Sequence, residues 1–263
     1  MVSRADRRRG RSEEPTASPV KAAALELGLD VTDDIEKVAA AGAELGVVVA
    51  YGRIIKPHVL AELPMVNLHF SLLPRWRGAA PVERAILAGD TVSGVCVMAV
   101  EEGLDTGGVY AQESLAIDPD ETADELRTRL VEVGTGLLIA TLDGGLGVPV
   151  PQQGEPTYAD KITPDDLHLD WSRPAVELAR VPRVGKAWTT FRGRRLLVVR
   201  AAAVEGSLAP GVLEATTVGT GDGLLQLLDV QPEGKAVQSA GAWRNGARPA
   251  PGERLGAVGE RGG

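Results

Sequence analysis

GVVVAYGRIIKPHVLAELPMVNLH, residues 46–69, contains two apolar runs separated by a helical segment. The first run, 46–52, is β-branched and lies between glycines, which is typical of a buried parallel strand. KPHVLAEL at 56–63 predicts a short helix, and 65–69 predicts a second strand. A strand, a helix and a strand in succession indicate an α/β fold built on a parallel sheet.

The same alternation continues on both sides of this stretch. Upstream, Ser18 and Pro19 form a typical helix start, and Gly28 can end that helix. Downstream, the pattern predicts further elements: a helix at 80–89, strands at 94–100 and 109–117, and a long helix from about 120 to 142. We therefore expect a doubly wound, mostly parallel, Rossmann-like sheet.

The second half of the chain has a different character. Residues 144–156 are rich in Gly, Pro and Gln, which is linker composition. Beyond Trp171, short β segments alternate with Gly-rich turns, which predicts a small antiparallel β-barrel of OB-like type. The predicted organisation is a catalytic domain at 1–150, a linker at 151–165 and a C-terminal barrel at 166–263.

Composition limits the function classes. The 263 residues are 44% hydrophobic and 24% charged, as in globular proteins. No apolar run is long enough to span a membrane, no secretory signal is present, and Cys96 is the single cysteine, so we expect a cytoplasmic protein without disulfides. The net charge of −8 argues against general binding to nucleic acid, yet Arg4, Arg7, Arg8, Arg9 and Arg11 form a local basic patch. That patch is either a solvated terminus or an RNA contact.

Asn67, His69 and Asp105 are the candidate catalytic residues. Asn67 and His69 lie two positions apart near the end of a strand, so they face the same side at the edge where α/β sheets bind ligands. Asp105 lies in the Gly-flanked loop GLDTGG, which can bring its carboxylate close to the imidazole. An Asn-x-His pair at a strand end is more often structural than catalytic, and spacing alone leaves both roles open.

These three side chains suit attack by an amine on an acyl or formyl carbon. The Asn amide and a protonated His can stabilise the oxygen that becomes negative, while the Asp can orient the His and accept the amine proton. This chemistry needs neither a metal nor a covalent intermediate.

Residues 67–81, NLHFSLLPRWRGAAP, resemble the signature of methionyl-tRNA formyltransferases, which belong to the wider folate-dependent formyltransferases. GLDTG at 103–107 resembles the aspartate loop of that family, and VVAYG at 48–52 resembles the strand whose backbone lines its folate site. Segments at 158–162, 169–171, 221–223 and 230–235 are similar to its linker and C-terminal barrel. The resemblance covers nearly the whole chain.

The resemblance implies roles for particular residues. Asn67, His69 and Asp105 would be catalytic, and the C-terminal barrel would hold the acceptor arm of initiator methionyl-tRNA. The formyl donor would be 10-formyltetrahydrofolate as co-substrate, without a metal, and the protein would be a monomer. The folate would contact Ser71, Leu72, Leu73, Pro74, Tyr51 and Gly52. The tRNA would contact Arg7 and Arg11, in a segment resembling the family's insertion loop, together with Arg75 and Arg77.

The sequence departs from the family pattern at three places. The family's first strand and helix are missing, either because the start was assigned late or because the chain is truncated, and we expect this to expose the neighbouring strand. Glu13 and Glu14 stand where the family tends to carry basic residues, and 180–186 is shorter than the family's segment. Two other functions stay open: another formyl-folate enzyme acting on a sugar nucleotide or glycinamide ribonucleotide, and a non-catalytic tRNA-binding remnant.

Overall fold

The computed structural model describes residues 1–8, 15–38 and 41–256. Contacts divide the chain into two compact units whose segments alternate along the sequence. The first unit comprises Met1–His69, Cys96–Gln112 and Gly136–Glu155, and the second comprises Phe70–Val95, Glu113–Thr135 and Pro156–Gly263.

The described residues form helices and strands in both units. The helices are α1 (Pro19–Glu26), α2 (Pro57–Glu62), α3 (Pro81–Ala88), α4 (Ala123–Asp143), α5 (Ala175–Leu178), α6 (Val181–Val184) and α7 (Ala240–Ala247). The strands are β1 (Arg7–Arg8), β2 (Pro15–Thr16), β3 (Gly46–Val49), β4 (Met65–His69), β5 (Arg77–Gly78), β6 (Val92–Ala99), β7 (Val109–Ala116), β8 (Tyr158–Ala159), β9 (Trp188–Phe191), β10 (Arg194–Val204), β11 (Leu213–Glu214), β12 (Thr217–Gly219), β13 (Leu224–Pro232) and β14 (Gln238–Ser239).

The N-terminal residues form a short hairpin followed by α1. β1 pairs antiparallel with β2. Ser18 caps α1, as predicted, because its hydroxyl accepts a hydrogen bond from the Lys21 amide at 3.0 Å. The Lys21 ammonium also contacts the Asp6 carboxylate at 2.8 Å, so the helix start is tied to the base of the hairpin.

A four-stranded sheet with the order β3-β4-β6-β7 carries the predicted α/β architecture. β3 and β4 are parallel, as the βαβ pattern predicted, but β4 and β6 are antiparallel. The α/β fold is thus as predicted, and the sheet within it is mixed, since β4 has one parallel and one antiparallel neighbour. Val95, Cys96 and Val97 are fully buried, so β6 is apolar on both faces and its sequence resembles a parallel strand. A strand that is buried on both faces has the same apolar pattern in either direction, so the pattern does not predict whether it runs parallel or antiparallel to its neighbours.

The first unit has its own apolar core, in which α2 covers the sheet. Ile55, Val59, Leu63 and Met65 are buried together. In the described part of the sheet β3 has β4 as its neighbour on one side, and it lies at the edge. Two of its side chains are about half exposed, Val47 at 46% and Val49 at 48%.

The C-terminal part of the second unit is an antiparallel sheet, as predicted. Its strand order is β11-β12-β13-β10-β9, with β14 also paired to β13. Within the described residues β9 and β11 are the two ends of this path and do not pair, so the predicted barrel is an open sheet. The core beneath it contains Leu169, Trp171, Leu178, Leu196, Val198, Leu225, Leu227 and Trp243.

Two short strands of the second unit were not predicted. β5 pairs in parallel with β8, so that Arg77 lies opposite Tyr158 and Gly78 lies opposite Ala159. β8 falls inside the predicted linker at 151–165, and its two residues carry no period that a sequence pattern could reveal. The predicted domain boundaries themselves stay a prediction. No helix in the described ranges is both long and apolar enough to cross a membrane.

An ion pair joins α3 to the segment after β8 in the second unit. The Arg84 guanidinium donates to both Asp166 carboxylate oxygens, at 2.6 and 3.1 Å. The amide and hydroxyl of Thr163 each donate to the same carboxylate at 2.8 Å. The hydrogen bond from Arg84, helped by those from Thr163, lowers the pKa of Asp166 from 3.8 to about 2.

We expect Asp166→Asn to destabilise the protein at neutral pH by about 2 kcal/mol, since hydrogen bonds to a charged acceptor are lost. Because the pKa is lowered on folding, the stabilisation is present above pH 3.8 and is lost as the pH falls toward 2. Urea unfolding at a series of pH values from about 2 to 7 measures this difference. Asp165→Asn is the matched control, and an equal loss in that variant would contradict the assignment.

Candidate active site

Asn67 and His69 lie at the carboxyl end of β4, in the first unit. Asn67 is paired with Val48 of β3 and Met98 of β6, and His69 is paired with Cys96 of β6. Residues two apart on a strand face the same side, about 6–7 Å from each other. Asn67 is half-buried, and His69 is only 6% exposed. The sheet therefore holds both side chains on one face, as predicted.

Asp105 reaches the imidazole from the loop between β6 and β7. Its Oδ2 lies 3.6 Å from Nδ1 of His69, and its side chain is 14% exposed. This distance is longer than a good hydrogen bond but short enough for an ion pair when the imidazole is protonated. The structure thus brings together the histidine and the carboxylate that the sequence placed 36 positions apart.

Backbone geometry explains why this loop is rich in glycine. Asp105 has a left-handed φ of 50°, which is uncommon for a residue with a side chain. A Cβ on Gly107 would overlap the carbonyl oxygen of Ala99, the last residue of β6. The loop therefore returns directly against the end of the strand, and only glycine fits at that contact.

Gln152 contacts the aspartate loop from a second segment of the same unit. Its amide nitrogen donates to the carbonyl oxygens of Asp105 and Gly107, each at 2.8 Å. Val150 forms a bridge with Val109, with hydrogen bonds of 2.8 Å in both directions, which holds this segment beside β7. Sequence analysis missed Gln152, because its neighbourhood has the composition of a linker and no motif distinguishes the residue.

The predicted folate-contact loop, residues 71–74, lies in the second unit. Ser71 is buried, and its hydroxyl donates to the carbonyl oxygen of Arg75 at 2.6 Å. Leu73 is also buried, and the Leu72 side chain lies over Gly94, where a Cβ would meet it. The Pro74 carbonyl accepts a hydrogen bond from Thr157. The Ser71 hydroxyl is therefore hydrogen-bonded within the loop, and the Leu73 side chain is buried in the protein.

Arg75, predicted to contact tRNA, is held by Asp90. Its guanidinium donates twice to that carboxylate, at 2.8 and 2.6 Å, and the hydrogen bonding raises its pKa. The Trp76 indole nitrogen donates to Asp90 at 2.8 Å, and the Arg75 guanidinium carbon lies 4.5 Å from the centre of the Trp76 ring. Arg77 is half-buried in β5. The charge of Arg75 is thus balanced inside the unit.

Tyr51 and Gly52, the other predicted folate contacts, follow β3 in the first unit. Arg4 donates two hydrogen bonds to the Tyr51 carbonyl oxygen, at 3.1 and 2.9 Å. Gly52 has a φ of 64°, and a Cβ there would overlap the Arg4 guanidinium. The sequence predicted no role for Arg4 beyond the basic patch. Of the two predicted RNA contacts in that patch, the backbone of Arg7 forms part of β1, and Arg11 lies outside the described residues.

The second unit contains a basic cavity of about 290 Å³ that sequence analysis missed. It lies where β10 and β13 meet, and its lining includes the cations Lys186 and Arg195 and the carboxylate Glu233. The Arg195 guanidinium carbon lies 4.8 Å from the centre of the Trp188 ring. No group of three or more His, Cys, Asp or Glu side chains able to hold a metal occurs in the part of the chain that the structure describes.

Comparison with known proteins gives matches along most of the chain. A formyl transferase model matches residues 1–142, and a model of the formyl transferase C-terminal domain matches residues 161–248. The methionyl-tRNA formyltransferase of Streptomyces coelicolor is 43% identical over 281 residues, which cover 97% of this chain and 90% of the relative. That of Methylobacterium sp. is 44% identical over 280 residues, with 97% and 90% coverage.

Solved structures give the same fold at low identity. Methionyl-tRNA formyltransferase from Clostridium thermocellum has a TM-score of 0.57 and 23% identity, covering 65% of this chain and 77% of that one. HypX from Aquifex aeolicus, in complex with tetrahydrofolic acid, has a TM-score of 0.60 and 18% identity, covering 84% of this chain and 43% of HypX. WlaRD, a sugar 3N-formyl transferase, has a TM-score of 0.59 and 18% identity, with 81% of each chain covered.

Gly107→Ala tests the close return of the aspartate loop. We expect a loss of unfolding free energy of about 1–3 kcal/mol, because the new methyl group must displace the loop from the Ala99 carbonyl. Gly147→Ala is the matched control, since a Cβ there meets no atom within 4 Å. Thermal and urea unfolding of both variants measure the difference. Equal stability of the two variants would show that the loop can move away without cost.

Proposed function

The chain belongs to the methionyl-tRNA formyltransferase family, and we propose that it transfers a formyl group from 10-formyltetrahydrofolate to the amino group of initiator methionyl-tRNA. The supporting observation is identity of 43% that extends over 90% of the relative from Streptomyces coelicolor. The protein acts as a monomer in the cytoplasm and requires no metal. Asn67, His69 and Asp105 are its catalytic residues.

The chemistry of the three side chains fits this reaction. Bound 10-formyltetrahydrofolate supplies the formyl group. The Asn67 amide and the protonated imidazole of His69 donate hydrogen bonds toward the formyl oxygen, which gains negative charge as the amine adds. Asp105 orients His69 through Nδ1 and accepts the proton that the amine loses, directly or through water. The bond between the formyl carbon and N10 of the folate then breaks, and N10 takes up a proton as tetrahydrofolate leaves. The 3.6 Å between Asp105 and His69 is typical of a site whose contacts shorten when substrate binds.

We assign the folate contacts by considering which loop atoms already form hydrogen bonds within the protein. Since the Ser71 hydroxyl is bonded to Arg75, we assign Ser71 a role in shaping the loop, while Leu72 and Pro74 provide surface for the folate. The same reasoning applies to Tyr51, whose carbonyl accepts from Arg4, so contact there involves the Arg4–Tyr51 pair as well as Gly52.

The proposed tRNA contacts are the predicted arginines Arg7, Arg11 and Arg77, together with a basic surface of the second unit. Arg75 is paired with Asp90, so we assign it the role of supporting Trp76. Arg77 follows Trp76 in the chain and lies on β5. The hairpin β1–β2 carries Arg7, while Arg11 lies outside the described residues. In the second unit, the cavity with Lys186 and Arg195 offers a further basic surface for an RNA backbone. Such contacts position the RNA without reading its sequence.

The direct test is formylation of methionyl-tRNA by the purified chain with 10-formyltetrahydrofolate. Formylated methionyl-tRNA, with no product from a sugar nucleotide or from glycinamide ribonucleotide, would support the proposal. Transfer to one of those amines instead would replace the acceptor. Binding of tRNA without transfer to any acceptor would identify the chain as a non-catalytic RNA-binding protein.

Alanine at Asn67, His69 or Asp105 should lower kcat by about 10²–10⁴-fold, because each substitution removes a hydrogen-bond donor or a proton acceptor from the reacting atoms. Affinity for tRNA, measured by filter binding, should change little. His58→Ala is the matched control, since that imidazole is 55% exposed and contacts Glu36. Near-normal turnover in any of the three variants would remove that residue from the mechanism.

Replacing Arg7 and Arg11 by alanine should weaken tRNA binding and reduce the slope of log K against log salt by about one for each lost phosphate contact. Binding titrations at several salt concentrations measure this slope. Arg127→Ala is the control, because its guanidinium is already paired with Glu83 and Asp124. An unchanged slope in the double variant would show that the N-terminal arginines do not contact the RNA.

A further inference from the structure

Gln152 is placed to control the position of the catalytic carboxylate. It contacts the backbone of the aspartate loop at two points, the carbonyl oxygens of Asp105 and Gly107, each at 2.8 Å from its amide nitrogen. Both bonds come from a single half-buried NH₂ group. The group thus spans the residue that carries the carboxylate and the glycine that seats the loop against β6.

The chemistry of this contact allows few substitutes. Two carbonyl oxygens require a donor with two hydrogens that diverge from one atom, which the glutamine amide provides. A glutamate of the same length would direct carboxylate oxygens at those carbonyls and would repel them at neutral pH. A methionine would fill a similar volume but would leave both carbonyls without their donor.

The position of Gln152 is itself fixed from the other side. Val150 and Val109 exchange hydrogen bonds of 2.8 Å at the start of β7. A Cβ on Gly108 would lie 2.9 Å from Pro149, so the chain around Gln152 packs directly on the end of the loop. Gln152 therefore joins the loop to a strand of the sheet and not to a mobile surface segment.

We propose that Gln152 is a positioning residue for the reaction. It holds the backbone of Asp105 in its left-handed conformation so that the carboxylate stays beside Nδ1 of His69. This inference rests on the proposed function for its catalytic consequence, while its structural content, the effect of Gln152 on His69, is independent of which amine is formylated. Gln152 does not touch the reacting atoms and acts only through Asp105.

The test compares Gln152→Met and Gln152→Glu, which both keep the side-chain volume, with Gln153→Ala as the matched control. Gln153 is the next residue and is exposed. We expect kcat for formyl transfer to fall between about tenfold and a hundredfold in both Gln152 variants, because small displacements of a catalytic group have effects of this size. KM for methionyl-tRNA should stay within about twofold, since no proposed RNA contact is changed.

A second measurement does not depend on activity. Nitrogen-15 spectra of the histidine rings report His58, His69 and His168, and His69→Ala identifies the signals of His69. We expect the Gln152 variants to shift the ring signals of His69 and to leave those of His58 and His168 in place. Circular dichroism and the melting temperature establish that each variant is folded, and the second variant serves if one of them is not.

The outcomes separate the two proposals. Wild-type kcat together with unshifted His69 signals in a folded Gln152 variant would overturn the role of Gln152. Shifted His69 signals in a chain that formylates no acceptor would retain the positioning role and reject the proposed function. A fall in kcat with unshifted His69 signals would also overturn the inference, because the loss would then not pass through the Asp105–His69 pair.

Discussion

The candidate site depends on one steric constraint, the direct contact between the backbone of the loop after β6 and the last carbonyl of that strand. Gly107 has no Cβ, so the chain can reverse against Ala99 without leaving the sheet. Within this reversal Asp105 has a left-handed conformation, and its carboxylate lies beside His69 of β4. His69 is there because the register of β4 and β6 pairs it with Cys96. The buried apolar strands fix that register, and the polar site inherits its geometry from them.

Ion pairs also hold parts of the structure in place. The chain carries a net charge of −8, yet several of its arginines form ion pairs with neighbouring carboxylates, as in Arg75–Asp90 and Arg84–Asp166. These pairs fix loops and helix ends in place, and bidentate geometry makes them stronger than most surface ion pairs. An arginine close to a signature motif is therefore not automatically a contact for RNA. The partner of each guanidinium in the folded chain has to be known first.

Local patterns in the sequence predicted most of the elements. The βαβ unit at 46–69, the cap at Ser18 and the helix at 80–89 all carry local signals, and the structure contains them. Strand direction was not predictable, because β6 is buried on both faces. Whether the C-terminal sheet is open or closed depends on whether its two end strands pair, and a succession of short β segments does not specify this. The His69–Asp105 pair followed from the motif, whereas Gln152 acts through its amide on backbone carbonyls and leaves no periodic or compositional signal.

The parallel pairing of β5 with β8 also bears on how the chain can be divided. The Trp76 amide donates to the Thr157 hydroxyl across 81 positions of sequence, and the amides of Ala79 and Ala80 both donate to the Ala159 carbonyl. Residues 76–80 of the signature segment are thus held in place by β8, a strand inside the predicted linker. A protease cut between residues 81 and 156 would leave both β5 and β8 present but would break the covalent chain that connects them. A gene fragment ending near residue 150 would encode the motif without the strand that supports it.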